Sequence, residues 1–418
     1  DLSVGAKTLA AVPLVSNAGI CYQGMNLVGG GFRMSREELT DAGYDRKKLP
    51  AVLHPYFIGK DLVQRRTERY VIDFYGVEPD DAREQFPTLW DRVVKLVKPE
   101  RQKNNRDSRR KNWWLFGEPV GKLRKALAGL SRYIVTTETA KHLVFQFVSG
   151  DTTPDHTIYA IASDDASHLG VLSSRVHAVW SAVAGATLED RPRWRNLRCF
   201  DPFPFPDATA AKRAKVAKLG EAIDAHRKAR QKADPELALT DIYNVIVKLR
   251  TGGTLTDNDK SVRTRALADT LRSLHDDLDA AVFDAYGWPA TLTDDEILTR
   301  LVDLNAKRAQ EEAKGKIRYL RPAFQAAAGS VQTKILEAPT KAAKTPKAAR
   351  WPADPFARVG AIVRVLRERD EPMTAEALAA ELGGAALADV LMALQNAGAA
   401  QSVSAIETDD GEAWIAKA

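Results

Sequence analysis

Apolar positions fall in short β-type runs over the first half of the chain and at helical spacing over the second. RYVIDFYG (69–76), HLVFQFV (142–148) and TIYAIAS (157–163) are rich in β-branched and aromatic residues and bounded by polar turns, so they predict strands. LWDRVVKLVKPERQKN (89–104) spaces Leu89, Val93, Leu96 and Val97 as one helical face, with Pro99 ending or interrupting the helix. HLGVLSSRVHAVWSAVAG (168–185) predicts a helix with Leu169, Leu172, Val176, Val179 and Trp180 on one side. FDPFPFPD (200–207) is broken by prolines, cannot be a helix, makes a poor central strand, and reads as a hinge. Beyond it the periodicity becomes helical, over about 208–232, 237–250, 258–286 and 293–314. Stripes such as Ile242, Val245, Ile246 and Leu249 suit a bundle.

EAPTKAAKTPKAARWP (337–352) has little to bury and reads as a linker. After it, helices over 355–369, 374–382 and 385–398 precede strands near 401–406 and 412–416, a winged-helix-like order. The predicted fold class is α+β: a mixed α/β domain, an all-α domain and a small winged-helix-like domain. The expected boundaries are 1–45 as the edge of a preceding domain, 46–207, 208–336, the linker 337–352, and 353–418. A chain of 418 residues is too long for one ordinary core, which agrees with that division.

Composition narrows the class. No stretch is apolar enough over the roughly 18 or more residues of a membrane span. The first residues lack the basic start of a signal peptide, and the absent initiator methionine suggests a processed or fragmentary chain. With only Cys21 and Cys199, neither a disulfide framework nor a CxxC zinc site is available, and a reduced cytoplasmic setting fits best. No GxxxxGK[ST], HExxH or GxSxG occurs, and Gly29-Gly30-Gly31 lacks a nucleotide fingerprint's context. The seven histidines show no ligand spacing, and Asp164 or Asp165 is better placed as an N-cap than as a metal carboxylate. No metal or cofactor is therefore expected in this chain, and no catalytic residue is assigned.

The net charge of +6 is modest, but its distribution is not. From Arg92 to Arg132 there are thirteen Lys/Arg against three acids, and Trp113-Trp114 follows the densest part. Lys98, Arg101, Lys103, Arg106, Arg109, Arg110 and Lys111 suit a fixed array of phosphates, the bland alternative being a solvated helix. A tryptophan pair anchored in a core argues against that alternative. LEDRPRWRNLR (188–198) holds a second cluster, Arg191, Arg193, Arg195 and Arg198, with Arg175 on the helix before it. Alternation at 191, 193 and 195 puts three guanidinium groups on one side of an extended chain. Arginine pairs with guanine O6 and N7, and a carboxylate such as Glu189 accepts from cytosine N4. The alternative for this cluster is a loop of internal ion pairs.

Several long motifs, in order, resemble a known family. They are YQGM…GF (22–32), HPYFIGKDL (54–62), RYVIDF (69–74), VKPERQKNNRDSRRKNWWLFGEP (97–119), LRKALAGLSRYIVT (123–136), SDDASHLGVLSSRVHAVW (163–180) and CFDPFPFPD (199–207). LHDDLDAAVFDAYGWP (274–289) and residues 296–325 continue the pattern. The chain resembles the target-recognition and C-terminal helical regions of MmeI-type (type IIL) restriction–modification DNA methyltransferases. In that family a methyltransferase domain with an [ND]PP[YF] motif binds S-adenosylmethionine and methylates adenine N6. Neither that motif nor the glycine-rich cofactor motif is present, and DPFP (201–204) lies in the wrong context. The resemblance therefore implies a specificity portion, inactive alone, whose partners are double-stranded DNA and the methyltransferase domain of the same parent protein. By position it implies base reading by Glu189, Arg191 and Arg193, and by Thr137 and Glu138 after the RYI motif. The tail beyond 351 lies outside the resemblance. Two rival readings are a general or RNA-binding nucleic-acid module, and a complete enzyme with an unrecognised site.

Overall fold

The structure is a computed structural model. It describes residues 8, 10–188, 191–326, 351, 355–369, 373–382, 385–399, 403–408 and 411–416. The chain divides into two compact units, 1–330 and 331–418.

Among the described residues of the first unit, ten strands form three sheets: β1 (Cys21–Gln23), β2 (Arg33–Ser35), β3 (Leu53–Phe57), β4 (Arg69–Ile72), β5 (Arg132–Thr137), β6 (Gln146–Ser149), β7 (Thr153–Pro154), β8 (Ile158–Ile161), β9 (Ala186–Leu188) and β10 (Arg191–Arg193). One sheet runs β1-β8-β5-β6, all antiparallel, and another runs β2-β4-β3-β7 with its last pair parallel. β9 and β10 pair as a separate antiparallel ribbon. The predicted strands at 69–76, 142–148 and 157–163 are β4, β6 and β8, each shorter than its apolar run.

The helices that matter for the site are α1 (Pro87–Leu96), α2 (Lys98–Gln102), α3 (Asp107–Lys111), α4 (Ala166–Leu172), α5 (Arg175–Ala184), α6 (Ala210–Ala233), α7 (Leu239–Thr251), α8 (Asp257–Ala266), α9 (Ala268–Tyr286) and α10 (Asp294–Ala313). Asp165 caps α4, its carboxylate accepting from the Ser167 amide at 2.7 Å, as its sequence position predicts. The single helix expected over 168–185 is instead two, α4 and α5. Ser174 Oγ donates to the Val171 carbonyl at 2.7 Å, a local bond that competes with the helical ladder at the break. The helix expected over 258–286 also divides, at Leu267, whose φ is 47°.

α6 is the central element, packed on both α4 and α9. Its approach to α4 runs over two glycines. A Cβ at Gly220 would lie 2.7 Å from the Ala166 carbonyl, and one at Gly170 2.8 Å from that of Val216. Any larger residue would push the helices apart. Arg132 of β5 pairs with Glu221 of α6, and buried Arg227 of α6 donates to the Phe145 carbonyl and, at 3.1 Å, to Tyr243 of α7. Sheet and helices thus share one packed body. FDPFPFPD is a buried strap and not a hinge. Phe200 and Phe203 are fully enclosed, and Asn17 Nδ2 donates to the carbonyls of Phe200, Asp201 and Phe203 at 2.8–3.1 Å. Its aromatic rings supply core that the prolines alone do not reveal.

The second unit has its own core, with Ile362, Leu366, Leu378, Leu382, Val390 and Leu394 buried together. Its elements run α11 (Pro355–Arg369), β11 (Met373–Thr374), α12 (Ala375–Glu381), α13 (Leu387–Ala399), β12 (Val403–Thr408) and β13 (Gly411–Ala416), with sheet order β11-β13-β12. The two-residue β11, paired with Trp414 and Ala413, was not expected from sequence.

Candidate nucleic-acid interface

The basic segment is anchored by its tryptophans. Trp113 lies 5.1 Å from Trp90 and 6.0 Å from Trp114, and both pack against the main core. That anchoring divides the seven expected phosphate ligands. Lys103, Arg106 and Lys111 are exposed on and around α3. Lys98 is half-buried, its ammonium 4.9 Å from the Trp113 ring centre. Arg110 donates to the carbonyls of Asn104 and Asn105 and pairs with Asp107 at 2.8 Å. Arg109 keeps only 14% of its side chain exposed and pairs with Glu118 at 2.6 Å.

Arg101 does not fit the expectation. It is 1% exposed, and one guanidinium nitrogen donates to the carbonyls of Leu27 and Leu115, each at 2.8 Å. Burial, with Arg109 nearby, lowers its pKa to about 10, which still leaves it charged at neutral pH. No phosphate can reach it. It fastens the glycine-containing segment after β1 to the end of the basic segment.

The second cluster lies against the residues after β5. Arg193 and Glu138 form a salt bridge at 2.5 Å, and Arg195 approaches the same carboxylate at 3.7 Å. The Trp194 amide donates to the Glu138 carbonyl at 2.7 Å, and the buried Trp194 ring packs edge-on to Phe145, Tyr159 and Phe200. The common direction expected for 193 and 195 is seen in their shared partner. Arg191 forms a backbone pair with Leu188, while Glu189 lies outside the described residues. Thr137 does not fit its expected role, because it is 6% exposed and closed into the sheet opposite Ile158.

Backbone bonds join the two clusters into one strip. Glu118 exchanges amide bonds with Asn26 at 3.0 and 3.2 Å. The Met25 amide donates to the Pro154 carbonyl at 2.9 Å, and the Glu138 amide to that of Thr157 at 3.1 Å. The order across the surface is therefore Arg106 and Arg109 with Glu118, then 25–26, then the 155–157 turn, then Glu138 with Arg193 and Arg195. Two non-glycine residues at this first end have left-handed backbones, Val28 and Val120, both with φ of 46°. A β-branched residue there is strained by about 1–2 kcal/mol, and such strain is held by surrounding structure and concentrates at functional sites.

Residues 12–207 match the family model of the MmeI target recognition domain. This segment is an MmeI-type target recognition domain. The chain is also similar to a solved structure of the type IIL restriction–modification enzyme MmeI in complex with DNA. That match has 18% identity and a TM-score of 0.54, and covers 71% of this chain and 36% of that one. At this identity the likeness is one of fold, and the mixed α+β architecture agrees with it. The chain spans about a third of the length of the solved enzyme. No curated protein matches the sequence. The recognition domain begins well before the boundary of 46 expected from sequence, because β1 (21–23) is an edge strand of its sheet.

The described residues contain no cluster of three metal-ligating side chains, and none of the helices among them is long and apolar enough to cross a membrane. A cavity of about 190 Å³ lies between Leu14, His168, Phe205, Arg213, Arg308 and Arg318. It is smaller than the roughly 300–1,000 Å³ usual for small-molecule sites. Its arginines are already neutralised, Arg318 by Asp207, Arg213 by Asp165 and Arg308 by Glu311. It does not fit S-adenosylmethionine, whose charged amino-acid end needs unpaired partners.

Proposed function

We propose that this chain recognises a specific double-stranded DNA sequence, as the specificity portion of an adenine-N6 methyltransferase of a restriction–modification or phage-defence system. The observation that carries the reading is the strip that sets an exposed basic end beside an arginine–carboxylate cluster. Lys103, Arg106 and Lys111 hold phosphates, while Arg193, with Glu138 orienting it, and Arg191 read base edges in the major groove. Glu189 completes the reading set by its position in the family motif. Methyl transfer and S-adenosylmethionine binding belong to a methyltransferase domain of the parent protein, outside this chain, and the setting is the cytoplasm. The firmly held duplex is what extrusion of the target adenine requires. The helices from 208 onward support the recognition domain through α6.

Selection of duplexes from a randomised pool tests the reading. The chain should enrich one motif, and Arg193→Ala should relax one position of it by about 1–3 kcal/mol of discrimination. A pool that binds without enrichment would make this a general nucleic-acid module instead. Equal weakening on every sequence by Arg193→Ala would make Arg193 a phosphate contact.

A further inference from the structure

Between the two arginine clusters stands a side chain to which neither the sequence motifs nor the proposed reading gives a role. His156 lies on the 155–157 turn, with about half of its side chain exposed. Its Nδ1 is held by Asp155 Oδ2 at 2.9 Å. Asp155 is itself fixed on every side: Tyr56 of β3 donates to Oδ2 at 2.5 Å, and the Thr157 amide and hydroxyl donate to Oδ1 at 2.9 and 2.6 Å. The His156 carbonyl accepts from Gln23 Nε2 at 2.7 Å. No described residue bonds Nε2 of the ring. An exposed imidazole clamped through one nitrogen, with the other left available, loses little further freedom when it meets a ligand.

Resting on the proposed DNA reading, we infer that His156 is a further DNA contact, donating from protonated Nε2 to the duplex between the two clusters. Its neighbours favour the protonated ring. Asp155 raises its pKa first through the hydrogen bond, against burial, and the carboxylates of Glu138 and Glu118 add to the rise. Burial would raise Asp155, but the bonds from His156, Thr157 and Tyr56 outweigh it and hold that carboxyl down at about 2. Asp155 therefore stays anionic throughout the histidine range. The charged groups around the ring are Asp155 on its own turn, Glu138 with Arg193 beyond β5, and Glu118 with Arg106 and Arg109. Arg33 and Arg69 lie further off, beside Tyr56.

The sign follows from these neighbours. The free-chain pKa is already above the ordinary histidine value, and a bound acceptor raises it further. Affinity is then greatest below the free pKa and falls as pH rises between the free and bound values, by at most about tenfold per pH unit for one proton. The experiment measures binding of a fluorescent mixed-sequence duplex to the whole chain at low salt, from about pH 6 to about pH 9. The unaltered chain should weaken with pH, and His156→Gln should bind with a flatter profile. His156→Ala, if its melting temperature is unchanged, should show the same flattening. Identical pH profiles in the unaltered and variant chains would overturn the inference, as would weakening by His156→Gln that is uniform with pH. Failure of the unaltered chain to bind duplex at any pH would overturn the DNA reading together with it, so the two failures are distinguishable.

Discussion

Arg101→Ala separates the structural role of the basic segment from its expected role on phosphate. The perturbation removes two hydrogen bonds from a charged donor, each of about 1.5–3 kcal/mol, and takes this partner from the Leu115 carbonyl, while the Leu27 carbonyl keeps its bond from the Gly117 amide. Relief of the buried charge offsets part of that loss, because Arg101 is 1% exposed and carries a lowered pKa. A net destabilisation of about 3–4 kcal/mol remains, toward the lower end of what two charge-assisted bonds contribute. With an unfolding entropy of about 2.1 cal/mol/K per residue, residues 1–330 melt with about 0.7 kcal/mol per kelvin. The melting temperature should therefore drop by about 5 °C.

Thermal denaturation followed by circular dichroism reads that drop, and duplex binding against salt reads the other possibility. A phosphate ligand contributes about 0.9 to the logarithmic salt slope. Arg101→Ala should leave the slope unchanged below the melting range, whereas Arg106→Ala should lower it by about that amount with little effect on melting. Wild-type stability together with a reduced slope for Arg101→Ala would refute the structural assignment.

Two further predictions concern other parts of the molecule. Burial lowers the pKa of His177 to about 4 and that of His275 to about 3, so the folded chain holds both neutral. The unfolded chain binds their protons first, near about pH 6.5, so the stability they support is full above that value and is lost as pH falls toward 4. Melting temperatures measured over that range should fall steeply, and His275→Gln should reduce the steepness; an unchanged pH dependence would show that His275 titrates normally. The C-terminal unit should not bind DNA by itself. Residues 353–418 contain eleven Asp/Glu against five Lys/Arg, and α13 contains no Lys or Arg with which to meet phosphate. Low-salt duplex binding by residues 351–418 alone would contradict this.

The sequence reveals elements that rest on local chemistry and hides those that rest on distant contacts. α6 and α10 follow from their stripes, and the α4 cap follows from Asp165 at the head of an apolar run. The division at Leu267 has no glycine or proline to announce it. β11 exists only because β13 pairs with it. Arg101 shows why charge counts mislead about a site. Val93, Val97 and Arg101 recur every four residues, and the first two are wholly buried, so the apolar face of α1 runs on into the guanidinium. Helical spacing could have identified it as an inward-facing residue, where composition read it as a surface cation. For His156 no comparable signal exists. Its position depends on a carboxylate fixed by Tyr56, distant in sequence, and on neighbours brought from two other segments.

In the strip, each arginine group is held by a carboxylate before any partner arrives, and this bears on how the proposed recognition would discriminate. Glu138 fixes Arg193 and Glu118 fixes Arg109, so less side-chain freedom is lost on binding than for unpaired surface cations. The same carboxylates repel phosphate and base acceptors that approach them directly. A base pair that offers Glu138 no donor leaves an acid facing an acceptor, and the mismatch costs more than the loss of a favourable contact alone. Bare lysines on the same surface would bind duplex more tightly and more uniformly. The two ends of the strip differ in this respect. Lys103 is exposed at one end on a flexible stem, whereas Arg193 at the other is clamped beside an edge-on cluster of rings that fixes its backbone through Trp194. Flexible cations tolerate any phosphate position, while a clamped guanidinium accepts only a base edge at the right place.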